Sequence, residues 1–235
     1  MNLLLLQDED FLDPGRVRLT GRRLRHVTEV HRARAGDELA VGLLGGALGR
    51  GRVTRLDAEA LELDVVLHQA PPPKLALTLV LALPRPKVLN RVLAAAASLG
   101  VARIYLVNAW KVEKSYWHSP RLGEANLLLQ RILGLEQARD TMLPELHLRR
   151  LLRPFAEDEL PELLRGTLPL LAHPAAGAEC PRAVADPVTL VIGPEGGFIP
   201  AEIELLARSG CRPVRLGPRI LRVETVVAAL IGRLF

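Results

Sequence analysis

The alternation of apolar and polar residues changes character once along this chain. Before residue 71 the period is two. Arg16-Val17-Arg18-Leu19-Thr20, Glu38-Leu39-Ala40-Val41-Gly42 and Ala60-Leu61-Glu62-Leu63-Asp64-Val65 all alternate, which predicts half-buried strands. Gly45-Gly46 and Gly49-Arg50-Gly51 read as turns between them. One helix is expected over Arg22 to His31, with Leu24, Val27 and Val30/His31 on one face. Short strands at this spacing predict a small β-barrel over residues 1–70. Pro71-Pro72-Pro73 is a stiff linker, because proline fixes φ and resists helix and strand interiors. The domain boundary is placed there.

From Lys74 onward, strands alternate with helices. Leu75 to Leu83 is a near-continuous apolar run, as in a strand buried on both faces. Val88, Leu89, Val92, Leu93 and Ala96 follow helical spacing, and Gly100 closes that helix. Further strands are expected at Ile104 to Val107, Glu145 to Leu151, Leu168 to Ala172, Val188 to Ile192 and Val214 to Leu216, with a long helix over Arg121 to Arg139. Pro200 suits a first helical turn, with Glu202 and Glu204 near the positive end of the dipole. The pattern predicts an α/β domain over residues 74–235 with a mostly parallel sheet.

Two copies of one construction stand out in that domain. The strand Val188 to Ile192 stops at Gly193-Pro194-Glu195-Gly196-Gly197, and the strand near Val214 to Leu216 stops at Gly217-Pro218-Arg219-Ile220-Leu221-Arg222-Val223-Glu224-Thr225. A helix follows each loop. Open α/β sheets bind ligands at the carboxyl ends of their strands, and glycine lets the backbone approach a ligand closely.

Charge adds a second theme. The net charge is +5, and its distribution says more than its total. Seven arginines and one acid lie between Arg16 and Arg34, and four arginines and no acid between Arg212 and Arg222. Local basic patches suit phosphate backbones; a solvated face is the alternative for either cluster. Leu3 to Leu6 is too short and wrongly flanked for a signal peptide. No stretch approaches the roughly 20 apolar residues of a membrane helix, so a cytoplasmic protein without a membrane partner is expected. Cys180 and Cys211 form neither a disulfide framework nor a metal site, and no metal is expected.

Several chemistries lack their motifs. GxxxxGK[ST], HExxH and GxSxG do not occur, and GxGxxG is absent near the first strand of the α/β domain. Six scattered histidines read as surface or packing residues. The two glycine loops suit a ligand with an adenine ring and few phosphates. Ordinary turns between strand and helix remain the alternative on this ground alone.

The segments Ile192 to Phe198 and Leu216 to Thr225, with Glu202 or Glu204 between them, closely resemble the signature of the ribosomal RNA small subunit methyltransferase E family, part of the SPOUT superfamily. Weaker resemblance covers Ala82 to Arg85, Leu99 to Val101, Glu136-Gln137 and Gly36 to Leu39. The resemblance implies an N-terminal PUA-like barrel, a C-terminal α/β domain with a trefoil knot, and a homodimer. It also implies S-adenosylmethionine as cofactor and methylation of uracil N3 at one uridine of 16S rRNA in the small ribosomal subunit. The residues it implies for the cofactor are Leu171, Ile192, Gly193, Gly196, Leu216, Gly217, Leu221, Arg222 and Thr225. Arg222 could stabilise the developing uracil anion. Glu224 could accept the N3 proton, or could pair with Arg222 and cap the last helix. Arg16, Arg18, Arg32, Arg34 and Arg85 are the expected RNA contacts.

The chain departs from the commoner family pattern at Ala95-Ala96-Ala97-Ser98, at Trp110 and at Ala138-Arg139-Asp140. These departures leave the cofactor motifs intact. Lys111 to Trp117 is either a replacement RNA surface or a solvated loop. Two rival readings are a non-catalytic RNA-binding assembly factor and a nucleotide-dependent enzyme of another class. Intact glycine loops disfavour the first, and the missing phosphate motif disfavours the second.

Overall fold

Val17 and Leu19 are fully buried, while Arg16 and Arg18 between and beside them face solvent. The period-two pattern thus becomes real strands with one apolar face. In the computed structural model, which describes residues 2–235, these strands are β1 (Leu4–Leu6), β2 (Phe11–Asp13), β3 (Arg16–Leu19), β4 (Glu38–Leu43), β5 (Leu48–Leu56) and β6 (Leu61–Gln69). They form one six-stranded sheet in the order β1-β4-β5-β6-β3-β2, antiparallel except for the β1–β4 pair. The sheet is a curled half-barrel around a core that includes Leu6, Val17, Leu19, Val41, Leu61 and Leu63. Helix α1 (Gly21–His26) runs on into a π-helical turn, Val27–His31, which ends where Arg32 takes a left-handed φ of 54°.

Gly49-Arg50-Gly51 is not a turn. It lies inside β5. A Cβ on Gly49 would overlap the Val66 carbonyl oxygen, and one on Gly51 would stand 2.9 Å from Val41 Cγ1. Glycine serves close strand approach here, not chain reversal.

The chain divides after Pro73, and Ile132–Leu143, expected in the second domain, belongs to the first unit. The reason is polar. Glu136 is 1% exposed and accepts two hydrogen bonds from the Arg22 guanidinium, both at 2.8 Å. Asn2 Nδ2 donates to the Gln137 carbonyl at 2.9 Å, and Thr141 Oγ1 donates to the Gly46 carbonyl at 2.5 Å.

The second unit takes Lys74–Arg131 and Pro144–Phe235. Its elements are β7 (Leu75–Ala82), α2 (Pro86–Ser98), β8 (Val101–Val107), the first part of α3 (Glu124–Ala138), β9 (Glu145–Arg149), α4 (Leu152–Pro154), α5 (Leu160–Leu164), β10 (Leu168–Ala172), β11 (Val188–Ile192), α6 (Pro200–Arg208), β12 (Arg212–Val214) and α7 (Val223–Leu234). The six strands are all parallel, in the order β12-β10-β11-β7-β8-β9. β7 and β11 are buried on both faces, as a sheet covered on both sides by helices requires.

Several boundaries differ from expectation: β8 starts three residues earlier, at Val101, and β9 stops at Arg149. The last strand is Arg212–Val214, and Arg215 adds only an isolated bridge to Glu179. The long helix starts at Glu124, because Gly123 is extended (φ −62°, ψ 140°) after the 3-10 turn Pro120–Leu122. The helical turns over Leu152 to Leu164 have no counterpart in the sequence pattern; two prolines and a short apolar spacing hide them.

Candidate functional site

Parallel pairing puts the carboxyl ends of β7, β8, β10, β11 and β12 at one edge of the sheet. A cleft of about 890 Å³ opens there, lined from the loops after these strands and from α2 and α7. β10 lies between β11 and β12, so the two glycine loops flank the segment that leaves β10, His173 to Ala175, which also lines the cleft.

The first loop is held by residues distant in sequence. Gly197 takes φ +69° and donates its N–H to the Pro194 carbonyl at 2.8 Å, closing a tight turn that suits glycine. Glu195 Oε1 accepts from the Arg85 N–H at 3.0 Å, and Lys111 Nζ donates to the Gly196 carbonyl at 2.8 Å. Pro200 opens α6, and Glu202 caps it by accepting the Ile199 N–H at 3.0 Å. A Cβ on Gly193 would press on the Phe198 ring at 3.1 Å.

The second loop is open. Gly217 lines the cleft, yet a Cβ there would meet no heavy atom within 4 Å. Its φ is not left-handed. Ile220 is 84% exposed and Leu221 36%. Arg222 is the N-cap of α7, and its guanidinium has no hydrogen-bond or ion-pair partner among the described residues. Arg215 Nε is buried without an acceptor among them.

The cleft carries six cations, Arg85, Arg91, Lys111, Arg215, Arg219 and Arg222, against Glu195 and Glu224. Glu224 is 23% exposed in the first turn of α7, and its carboxylate stands 3.7 Å from Arg91 Nη1. Its partner is therefore Arg91 on α2, not Arg222. Neither cysteine lines the cleft, and no group of three or more His, Cys, Asp or Glu among the described residues could hold a metal.

Most of the sequence-predicted cofactor residues meet here. Ile192, Gly193, Gly196, Leu216, Gly217, Leu221 and Arg222 line the cleft, as do Glu224 and Arg85. Leu171 does not: it is fully buried in the core, and the lining begins at its neighbour Ala172, since successive strand residues face opposite sides. Thr225 is exposed on α7 outside the lining. Arg91, Lys111, His173 and Arg215 join the cleft without having been expected there. Lys111, His173 and Arg215 carry a sequence signal, by following closely on a predicted strand or lying within one; Arg91 carries none.

Arg16, Arg18, Arg32 and Arg34 belong to the first unit, and all four are exposed there. The basic run there is less free than its sequence implies. Arg23 is spent on Asp10 in a bidentate pair at 2.5 and 2.6 Å, as Arg22 is on Glu136. Arg16 and Arg18 sit opposite Asp64 and Glu62 across the β3–β6 pair, and Arg16 also stands 3.3 Å from Asp13.

Residues 71–234 match the model of a family described as an RNA methyltransferase domain. The chain is 30% identical to the ribosomal RNA small subunit methyltransferase E of Treponema pallidum (strain Nichols), over 97% of this chain and 88% of that one. It is 27% identical to the protein of the same name from Mycobacterium tuberculosis (strain CDC 1551 / Oshkosh), over 88% and 81%. A crystal structure of a ribosomal RNA small subunit methyltransferase E from Neisseria gonorrhoeae, bound to S-adenosyl methionine, superposes with a TM-score of 0.79 at 23% identity, over 98% of this chain and 95% of that one. A family match over most of the chain, a 30% identical relative of nearly the same length and a shared fold leave one conclusion: the chain belongs to the ribosomal RNA small subunit methyltransferase E family of RNA methyltransferases.

Proposed function

We propose that this protein transfers a methyl group from S-adenosylmethionine to the ring N3 of one uridine in 16S rRNA. One observation carries the cofactor site. Gly217 lines the cleft, adopts no left-handed φ, and has empty space where a Cβ would stand. The folded chain itself does not require glycine there, and the open space lets a ligand approach the backbone closely. The size of the cleft falls within the roughly 300–1,000 Å³ of small-molecule sites. Apolar flanks at Ile192, Leu216 and Leu221, with free backbone groups in both glycine loops, suit an adenine ring. Arg215 Nε, buried without an acceptor, is a donor left for a polar atom of the ligand. The RNA substrate follows from family membership and from the names of the relatives.

The sulfonium of the bound cofactor supplies an activated methyl group. The protein's task is mainly positioning, worth as much as ~7–11 kcal/mol in favourable cases. The N3 proton of uracil must also leave. Glu224, largely sheltered in the first turn of α7, accepts that proton at a carboxylate oxygen. The unpartnered Arg222 guanidinium stabilises the anionic ring. A base in a paired context must be extruded to reach the cleft, at a cost of a few kcal/mol (about 2–4). In the first unit, Arg16, Arg18, Arg32 and Arg34 contact phosphates.

The reading extends to a trefoil knot through the two glycine loops, a PUA-like RNA-binding role for the half-barrel, a homodimer and a cytoplasmic location. Sedimentation of the purified protein tests the dimer. The activity is tested by incubating the protein with S-adenosylmethionine and small ribosomal subunits from a strain lacking the gene, then analysing nucleosides by mass spectrometry. The expected product is 3-methyluridine at one position. A methyl group on another atom refutes the target, and thermal stabilisation by ATP but not by S-adenosylmethionine refutes the cofactor.

A further inference from the structure

Trp110, which follows β8, leaves 79% of its surface in solvent. The other tryptophan behaves ordinarily: Trp117 is 8% exposed and donates its Nε1–H to Asn108 Oδ1 at 2.8 Å. An indole left in water keeps a large apolar surface unburied, and tryptophan is enriched at interfaces, where one end is apolar and the other wet. The exposure does not come from a loose loop. The Trp110 N–H donates to Glu202 Oε1 at 2.7 Å, the next residue ties its Nζ to the Gly196 carbonyl at 2.8 Å, and the Val112 N–H donates to the Ala109 carbonyl at 3.0 Å. The ring is thus mounted on a backbone held through the Trp110 and Val112 N–H groups, beside a lysine whose side chain is tied to the first glycine loop, one residue from the cleft wall that Lys111 helps to form.

Cations outnumber acids in that cleft, and an exposed aromatic stands at its margin. A cationic groove beside an aromatic face is the combination that grips single-stranded nucleic acid: the cations hold phosphates and the ring stacks on a base. We propose that Trp110 is the stacking platform for an unpaired RNA base next to the nucleotide that enters the cleft. The proposal rests on the reading of this cleft as the site of RNA modification, and adds a positioning residue to it. An extruded nucleotide leaves its neighbour unstacked on one side, and the indole replaces the lost stacking partner. A second copy of this chain covering the indole is the competing occupant. The cationic surroundings favour the RNA, because a copy of this chain carries the same positive charge and a phosphate backbone the opposite one.

The test reads binding without any methyl donor, so it stands whether or not transfer is observed. With two tryptophans in the chain, the difference in fluorescence between the wild type and Trp110→Phe isolates the Trp110 signal. The probes are an octamer of uridylate and an abasic ribose-phosphate oligomer of the same length. Quenching of Trp110 by the uridylate but not by the abasic oligomer is expected. Trp110→Ala should bind the uridylate about tenfold more weakly, with Trp110→Phe recovering most of the affinity. With small subunits as substrate, the KM of Trp110→Ala should rise by more than its kcat falls, with the affinity for S-adenosylmethionine unchanged. Equal quenching by both oligomers, or unchanged uridylate affinity in Trp110→Ala, overturns the proposal. Loss of a sedimenting dimer in Trp110→Ala with RNA affinity intact assigns the indole to a second copy and overturns it equally. Methylation by a Trp110→Ala protein of unaltered KM removes the stacking role and leaves the methyltransferase reading standing.

Discussion

One oxygen of the Glu202 carboxylate accepts the Trp110 N–H at 2.7 Å while the other accepts the Ile199 N–H at 3.0 Å. A single side chain thereby caps α6 and fixes the loop after β8. Removing it leaves two backbone donors without partners and loses a helix cap. Glu202→Ala should destabilise the protein by about 1–2 kcal/mol, and Glu202→Gln by less, because the amide oxygen still accepts one of the two bonds. Urea unfolding measures the loss. Hydrogen exchange at the Trp110 amide should accelerate in the alanine variant; unchanged exchange would show that the loop is held by other means.

Gly193 and Gly217 both line the cleft, yet a side chain meets different obstacles at the two positions. At Gly193 it strikes Phe198, at 3.1 Å from the Cβ position, and at Gly217 it enters open space. Gly193→Val should therefore cost stability, about 1–3 kcal/mol of overpacking, as well as cofactor binding. Gly217→Val should leave the unfolding free energy within about 0.5 kcal/mol, as at ordinary surface sites, and abolish binding of S-adenosylmethionine. Calorimetric titration paired with thermal unfolding separates the two. A stable Gly217→Val protein with intact affinity would remove Gly217 from the cofactor site.

The contrast between these glycines also marks how much of the site is legible in the sequence. Each contiguous loop is one run of residues after a strand, so Ile192, Gly217 and Arg222 can be placed at the cleft from the sequence and do line it. Arg91 on α2 cannot, and although His173 and Lys111 follow predicted strands, their meeting with both loops depends on strand order. β10 inserts between β11 and β12, and no local periodicity encodes that. Glycines at turns and glycines under a crossing strand look alike in sequence, which is why Gly49 and Gly51 read as turn residues and prove to lie within a strand. Arg22 meets Glu136 across 114 residues, so the free basic run implied by adjacency is partly an internal ion-pair network.

Arg23 and Asp10 illustrate the cost of that network. Asp10 is 6% exposed and Arg23 17%, and the guanidinium also donates to the Leu5 carbonyl at 2.8 Å. Truncating one partner of a buried pair strands the other charge, at about 3–5 kcal/mol. Arg23→Ala should approach the lower end of that range in urea unfolding. The exposed Arg18→Ala should change stability by less than about 0.5 kcal/mol. A double variant, Arg23→Met with Asp10→Leu, should recover part of the loss, because no buried charge then remains unpaired, while the Gln7 N–H and the Leu5 carbonyl still lose their side-chain partners.

Burial pushes the Cys211 thiol up to about 12, and burial also raises that of Cys180, partly offset by Arg233. The thiolate is the reactive form, so neither cysteine should react with a disulfide reagent at pH 8 until the protein is denatured. Between the unfolded value of 9.0 and about 12, the unfolded chain has released the Cys211 proton and the native state still holds it. Native stability should thus fall as pH rises above about 9. Cys211→Ala should flatten that alkaline limb in unfolding curves recorded from pH 8 to 11. A native thiol titrated by the reagent at pH 8 would contradict the burial.

Salt dependence of RNA binding should distinguish the arginines of the first unit by their neighbours. Removing one arginine–phosphate interaction reduces the slope of log K against log salt by about 0.7 to 0.9. Arg16 and Arg18 lie opposite Asp64 and Glu62, and Arg16 also stands 3.3 Å from Asp13. Their guanidinium charges are partly answered inside the sheet, and an approaching phosphate feels the carboxylates too. Arg32 and Arg34 follow the π-helical turn, away from any paired strand, and Asp37 there is turned to the Arg34 N–H at 2.8 Å. Arg32→Ala and Arg34→Ala should each lower the slope by close to that full amount, and Arg16→Ala and Arg18→Ala by clearly less. Fluorescence anisotropy of a labelled 16S rRNA fragment over a range of KCl concentrations gives the four slopes. Equal reductions at all four would mean that the cross-strand acids do not screen the β3 arginines. An unchanged slope at Arg32 and Arg34 would move the RNA interaction away from the helical end of this unit.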